Sequence, residues 1–199
     1  MVKSPRSDGF NLLEMVFVLG LICTISAIAV PMIAGALAEF RVGGDARGVS
    51  NAIAVAKMRA ASDFSRVRLY VDLGARTHHV ETWNKTTLQW TVEGGSTSLS
   101  STVSFSPGVV GTPPPNTQGV IGQAPLCTDD AGADIANTAC IMFNSRGVPI
   151  GNGPSFSPTG VDAIYVTDGQ AVYGITVAAT GMLKLWRTLP QVTPLWALN

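Results

Sequence analysis

The sequence is poor in charge and poor in cysteine. Thirteen Lys and Arg balance thirteen Asp and Glu, so the formal net charge is zero and charged residues make up 13% of the chain. Soluble globular domains average about 25% charged residues. Neutrality excludes a strongly basic protein that coats nucleic acid, and a 46% hydrophobic composition excludes disorder driven by charge. Three cysteines are too few for a disulfide-dense miniprotein.

Motifs of enzyme active sites are also missing. The chain has no Gly-x-Ser-x-Gly, no phosphate-binding loop and no His-Glu-x-x-His. His78 and His79 are adjacent, so on a strand they point to opposite faces and do not share one metal ion. His79 shares a face with Glu81, but two ligands are too few for a zinc site. The sequence therefore predicts a protein that is not an enzyme and that holds neither a cofactor nor a metal.

One long hydrophobic run is present near the N-terminus. Residues 10–38 contain a single charged residue, Glu14. As a helix they would be about 43 Å long, against a hydrocarbon core of about 30 Å, so they predict a membrane-spanning helix. Lys3 and Arg6 precede the run, and the positive-inside rule keeps this flank in the cytoplasm. We therefore expect residues 39–199 to form a head outside the cytoplasm.

A plain signal anchor is the simplest interpretation of this run, but Glu14 argues against it. A cleaved secretory signal is excluded because the apolar stretch of such signals has about 7–15 residues, fewer than this run has. In addition, the tripeptide 27–29, which resembles a signal cleavage site, lies inside the run and not after it. A carboxylate deep in an apolar segment costs several kcal/mol and so predicts a functional site. It needs a positive partner, and the next basic residue is Arg41. If the chain were cut before Phe10, the new amine of a shifted neighbouring subunit could meet Glu14 one helical turn away.

The segment Gly9-Phe-Asn-Leu-Leu-Glu-Met-Val16 resembles the leader junction of type IV pilins and of the pseudopilins of type II secretion. The resemblance implies that residues 1–9 are a leader, which a prepilin peptidase removes by cutting between Gly9 and Phe10. It further implies that Phe10 becomes N-methylated and that Glu14 aligns subunits during assembly. Pro31 matches a helix-kinking proline of many pilins, and an interior proline by itself removes one helix hydrogen bond.

The rest of the chain predicts an α+β head. Helical spacing of apolar residues continues to about residue 62, with Phe40 and Val49 in the predicted apolar stripe and Gly43-Gly44 as a possible joint. Alternation with a period of two then predicts strands, and residues 107–126 and 144–160 are rich in Gly and Pro and predict long loops. The predicted strands are 66–73, 77–84, 88–93, 97–106, 139–143, 163–168, 171–178 and 182–187. In the first of them, the alternation predicts that Val67, Leu69, Val71 and Leu73 face the helix and that Arg66, Arg68, Tyr70 and Asp72 face outward. The fold class is therefore a pilin-like α+β fold, one long N-terminal helix packed on antiparallel sheet.

Two head segments refine the family. Residues 45–62 followed by Arg66-Val-Arg-Leu69, and the segment Ile141-Met-Phe-Asn-Ser-Arg-Gly147, resemble the H-type minor pseudopilin and its pilus relatives. The resemblance implies a subunit anchored by one pass in the inner membrane, with its head in the periplasm, near the tip of a type II secretion pseudopilus. Its partners are then the prepilin peptidase and other pseudopilins or pilins in a hetero-oligomeric filament. The alternative is a minor type IV pilin that binds DNA in natural transformation.

Two further predictions concern the head. Cys127 and Cys140 lie in the exported part, where oxidation to a disulfide is expected, and two free thiols are the alternative. The aspartates between them (Asp129, Asp130 and Asp134) lack the spacing of an EF-hand and predict a solvated turn rather than a calcium site. Arg59, Arg66 and Arg68 belong to a basic stretch that could contact DNA or a partner, whereas the simpler interpretation is a solvated face or contacts with neighbouring subunits.

Overall fold

The structure is a computed structural model that describes residues 11–153 and 155–199. Two compact units divide the chain at Ala38 and Glu39. The elements in chain order are α1 (Leu12–Ser62), β1 (Val67–Asp72), β2 (Thr77–Asn84), β3 (Gln89–Ser98), β4 (Cys127–Thr128), β5 (Asp134–Ile135), β6 (Thr138–Phe143), β7 (Pro149–Ile150), β8 (Val161–Thr167), β9 (Val172–Ala178), β10 (Leu183–Thr188) and β11 (Ala197–Leu198). The predicted architecture, one long N-terminal helix and an antiparallel sheet head, is confirmed.

The first unit contains the N-terminal half of α1. An 18-residue window within α1 has a mean hydropathy of 2.5, and none of that window is buried. This part of the helix therefore presents apolar side chains on all sides. That pattern is typical of a helix in contact with lipid or with other helices rather than with water. The described residues hold one such helix, and its length and composition suit a membrane span.

The second half of α1 belongs to the head and is amphipathic. Its buried residues recur every three or four positions, which places them on one side of the helix. They are Val42, Gly43, Ala46, Val49, Ile53, Ala56 and Ala60. Phe40 was predicted to join this stripe, but its side chain is exposed. Small residues predominate in the stripe.

A five-stranded antiparallel sheet has the strand order β3-β2-β1-β6-β7. Val67, Leu69 and Val71 of β1 are fully buried in the core that contains α1, as the alternating pattern predicted. Their neighbours Arg68 and Tyr70 face the opposite side, which we call the outer face of this sheet.

A four-stranded antiparallel sheet has the order β11-β10-β9-β8 and completes the head. The main core cluster includes residues from α1, from the five-stranded sheet and from this second sheet, among them Ile53, Ile141 and Ile175. A smaller cluster on the second sheet joins Tyr165 and Val172 to Val110 of the long loop between β3 and β4.

Two sequence predictions about local structure were wrong. A strand was predicted at 97–106, but β3 ends at Ser98, and Ser104 contributes only a single bridge to Thr167. Gly43-Gly44 was predicted as a joint, yet both glycines lie inside α1. Close packing accounts for the glycine at position 43, because a Cβ atom there would come within 3.2 Å of the Tyr173 hydroxyl oxygen.

Candidate functional site

The N-terminal half of α1 is the first candidate functional surface. Glu14 is the single charged residue of the described span and lies in the first turn of α1. An acid in the first turn is favourable toward the helix dipole, which offsets part of the cost of its apolar surroundings. Leu13 and Phe17 beside it are exposed along with the rest of this half. The surface is therefore apolar, continuous and marked by one carboxylate near its beginning.

The predicted processing site lies outside the described residues. Gly9 and Phe10, and the leader before them, precede the first described residue. Pro31 lies inside α1 as predicted, and the bend that it produces stays a prediction.

The outer face of the five-stranded sheet is the second candidate surface, and Arg68 is at its centre. Its side chain is 2% exposed, and its Nε donates to Glu81 Oε2 at 2.6 Å. Its Nη1 donates to the backbone oxygen of Thr128 at 2.6 Å, and its guanidinium lies 3.9 Å from the centre of the Trp90 ring. Burial lowers the pKa of Arg68, and the nearby Glu81 carboxylate opposes that shift. The arginine is thus enclosed, paired and covered by an aromatic ring.

His79 extends this network along the outer face. Its Nε2 lies 3.0 Å from Glu81 Oε1, so the one carboxylate contacts both Arg68 and His79. The imidazole stacks on the Tyr70 ring with 4.8 Å between ring centres. The prediction that His79 and Glu81 share a face is confirmed.

Arg66 borders a groove beside this network. Its guanidinium lies 4.5 Å from the Trp83 ring centre and 4.1 Å from that of Phe156. Burial lowers its pKa. The groove has a volume of about 900 Å³, and its walls include Trp90 and Met142. That volume falls within the range typical of ligand pockets.

A disulfide closes the loop that covers the outer face. Cys127 and Cys140 are bonded with 5.0 Å between their Cα atoms, which confirms the predicted bridge. Cys140 lies on β6 opposite Tyr70, whereas Cys127 begins β4. The bridge therefore fixes the start of the loop to the sheet, and Thr128 next to it accepts the hydrogen bond from Arg68.

The three arginines predicted as a contact surface do not form one exposed stripe. Arg59 lies on α1, and its Nε is 3.3 Å from Glu93 Oε2. Arg68 points outward as the strand pattern predicted, but Trp90 and the disulfide loop cover it. Only Arg66 combines a partly exposed side chain with a position on the groove.

Two aspartates of the disulfide loop accept hydrogen bonds from backbone amides. Asp129 Oδ1 accepts hydrogen bonds from the amides of Ala131 and Ala133, at 2.9 and 2.8 Å. Asp130 Oδ1 accepts from the Trp90 amide at 2.8 Å, which ties the loop to β3. Over residues 11–153 and 155–199, no three His, Cys, Asp or Glu side chains come together as metal ligands would.

The aromatic side chains of the groove were not predicted from the sequence. Trp83 and Trp90 are directly opposite each other on β2 and β3, with 5.2 Å between ring centres. Two tryptophans spaced equally from a turn between two strands are a usable signal, because opposite residues of a hairpin share a face. Phe156 gave no such signal, since it lies in a loop whose position depends on the whole fold.

Comparison with known proteins gives a limited result. No family model matches the chain, and no curated protein matches it. Two solved structures of the minor pseudopilin EpsH from the type 2 secretion system of Vibrio cholerae are similar, each at 12% identity. One covers 73% of this chain and 95% of its own with a TM-score of 0.44, and the other covers 77% and 94% with a TM-score of 0.43.

Proposed function

We propose that the chain is a minor pseudopilin, a subunit of the short periplasmic filament of a type II secretion system. The observation that carries the proposal is the N-terminal half of α1, an exposed apolar helix with Glu14 in its first turn, preceded in sequence by Gly9-Phe10. An isolated helix of this kind is costly in water. Burial in the inner membrane, and then among the helices of neighbouring subunits, removes that cost.

The mechanism of such a subunit is assembly rather than catalysis. Prepilin peptidase cuts after Gly9 and methylates Phe10, and the remaining helix keeps the subunit in the membrane. Glu14 then pairs with the N-terminal amine of a neighbour, because a lone carboxylate in an apolar environment is stabilised by a positive partner. Apolar contacts along α1 supply cohesion, while the carboxylate sets the axial register.

The disulfide-bonded head supports an exported location. Structural disulfides persist in the periplasm and are rare in the cytosol. The Cys127–Cys140 bridge lies in the head, after the span, so a cytoplasmic leader and a periplasmic head are consistent with it. This orientation agrees with the basic residues Lys3 and Arg6 before the span.

The decisive experiment is mass spectrometry of the N-terminus combined with in-membrane crosslinking, on a tagged copy in its native host. We expect a chain that begins at N-methylated Phe10, and a full-length chain in a matched host that lacks the prepilin peptidase. An unprocessed N-terminus in both hosts would contradict the proposal. Crosslinks from the head to other minor pseudopilins are expected for a tip position.

The alternative, a minor type IV pilin with a DNA-binding head, predicts different crosslinks. Its partners would be a major pilin and the minor pilins of a pilus. Arg66, with its partly exposed side chain at the groove, is the residue that would contribute most to DNA contact. An Arg66→Glu variant that binds DNA as the parent does would contradict this alternative while leaving the pseudopilin proposal intact.

A further inference from the structure

Two long segments of the head carry no charged residue. Residues 94–128 and residues 188–199 contain no Asp, Glu, Lys or Arg. Both segments expose large apolar side chains: Val109 is 64% exposed, Leu189 59%, Val192 73% and Leu195 82%. We call these four residues the uncharged patch. Exposed apolar surface of this kind indicates contact with another protein or with a membrane.

The patch lies at one end of the four-stranded sheet. Thr167, Val172 and Thr188 are register partners, so they mark the same end of β8, β9 and β10. Leu189 directly follows Thr188 and therefore lies at this end. Val109 precedes Val110, which packs with Val172 in the smaller core cluster.

The C-terminal segment returns to the same end. Ala197 pairs with Arg187, and β11 runs antiparallel to β10, so Leu195 lies beyond Arg187 in the direction of Thr188. Val192 lies close to Gly111 of the long loop. A Cβ atom added at Gly111 would come within 3.0 Å of the Val192 carbonyl oxygen. The segment is further fixed by Trp196, whose indole Nε1 donates to the Thr112 oxygen at 3.0 Å.

An ion pair identifies this end of the head as the end at which the chain enters it. Arg187 Nη2 lies 2.5 Å from Glu39 Oε1. Glu39 directly follows Ala38, the last residue of the apolar run. As a helix the apolar run is about 43 Å long, which matches the thickness of about 40–45 Å of a bilayer with its headgroups, so the chain reaches this end of the head where it leaves the headgroup region.

We propose that the uncharged patch rests in the lipid headgroup region of the membrane before the subunit joins a filament. The proposal rests on the membrane span of the proposed function. Its support is continuity, because the end of the head at which the chain arrives from the apolar run is also the end that exposes the apolar side chains. Trp196 beside the patch suits this position, since amphipathic aromatic rings are enriched where membrane meets water.

The charges at this end indicate that apolar burial, rather than attraction to anionic lipid, holds the patch in place. Glu39 and Arg187 neutralise each other. Arg41 follows on α1, and Asp168 lies in the turn between β8 and β9. The two segments that carry the patch have no charged residue, so the contact should form on uncharged lipid and resist salt.

The test uses the full chain in phosphatidylcholine vesicles with one environment-sensitive fluorophore per protein. The label is placed on native Cys23 in the span, on a Val192→Cys variant in the patch, or on a Thr87→Cys variant as a control. The last two also carry Cys23→Ser, and the Cys127–Cys140 bridge stays oxidised. Thr87 is exposed in the turn between β2 and β3, where the neighbouring Lys85 donates to the Phe64 oxygen beyond the end of α1, far from Glu39.

The readout compares quenching by spin-labelled lipid with quenching by iodide in the water. We expect Cys23 to respond to a deep lipid quencher. We expect Val192→Cys to give a ratio of shallow-lipid to iodide quenching about threefold or more above that of Thr87→Cys, as for a side chain at the interface. The ratio should not change between low and high salt.

Three results would overturn a part of the argument, and they differ. A Cys23 label that responds to iodide alone would reject the membrane span itself. A lipid-quenched Cys23 together with an iodide-quenched Val192→Cys would reject the patch proposal and leave the span intact. A Val192→Cys label protected from both quenchers would also reject it, and would assign the patch to contact with another protein chain.

Discussion

Arg68 and Glu81 form a buried ion pair on a face that the strand pattern assigns to solvent. Removing one member of such a pair leaves the other charge buried without a partner, at a typical cost of 3–5 kcal/mol. We expect Glu81→Ala to lower the free energy of unfolding of the full chain in detergent micelles by about 3 kcal/mol or more. Denaturant titration followed by tryptophan fluorescence measures this, because Trp90 stacks on Arg68.

A second pair in the same head provides the control. Arg59 and Glu93 are 3.3 Å apart, and the Arg59 side chain is 54% exposed. Exposed pairs contribute about 0–1 kcal/mol, so Arg59→Ala should change stability by less than Glu81→Ala. Equal losses in the two variants would show that the enclosure of Arg68 has no energetic consequence.

We expect His78 to make the stability of the head depend on pH. It is buried with its ring 6.3 Å from Phe105, and its Nδ1 has no hydrogen-bond partner within the described part of the chain. Burial lowers its pKa below the ordinary value, Asp45 opposes that shift and His79 adds to it. The unfolded chain therefore binds a proton more readily than the folded chain, so acidification below about pH 6.5 favours unfolding.

We expect the full chain to lose stability between pH 7 and pH 5, and a His78→Leu variant to lose less over the same interval. The measurement is the denaturation midpoint at each pH. A His79→Gln variant keeps His78 and should retain this part of the parent's pH dependence. Parallel pH profiles for the parent and His78→Leu would show that His78 does not titrate on unfolding.

The disulfide loop lies over the outer face of the five-stranded sheet and is fixed to it by the Cys127–Cys140 bridge. The bridge closes a loop with a sequence separation of 13. A loop of this length predicts a stabilisation of about 3 kcal/mol by the bridge. Strands β4 and β5 of this loop have two residues each, which is too short to hold the loop on the sheet without the bridge.

We therefore expect a Cys127→Ser/Cys140→Ser variant to lose about 3 kcal/mol of unfolding free energy. It should also gain hydrogen exchange at residues 127–135, because the tie to β6 is lost. Cys23→Ser is the matched control, as it removes a thiol outside the head. A double variant that matches the parent in both measurements would contradict a structural role for the bridge.

The proposed assembly depends on one carboxylate, that of Glu14. We expect Glu14→Ala to be cleaved and methylated as the parent is, because the peptidase junction is unchanged. Incorporation into filaments should fall about tenfold or more, since each lost charge pairing of 1.4 kcal/mol corresponds to a factor of ten. Sheared-filament fractions probed with an antibody against the head measure this. Normal incorporation of Glu14→Ala would reject the pairing model.

The sequence alone determined the helix, most of the strands and the disulfide. These features follow from local physics. An apolar run of this length has to leave water, and alternation of apolar residues assigns strand faces. Two cysteines on either side of a polar loop, in a head that is predicted to be exported, predict a bridge. The prediction of β2 at Thr77–Asn84 agreed with the structure at both ends. Glu14 stood out because a charge within an apolar run is costly wherever the rest of the chain lies.

Which polar residues are enclosed and which apolar residues are exposed depends on contacts that form in the folded head. Arg68 was assigned to solvent because strand alternation contains no information about a loop 60 residues away. Phe40 matched the helical stripe, yet its side chain is 77% exposed. The uncharged patch was equally invisible in the pattern, because it forms where residues 109 and 189–195 meet across the fold. Burial depends on contacts between distant segments, and a local pattern records only which face a residue occupies.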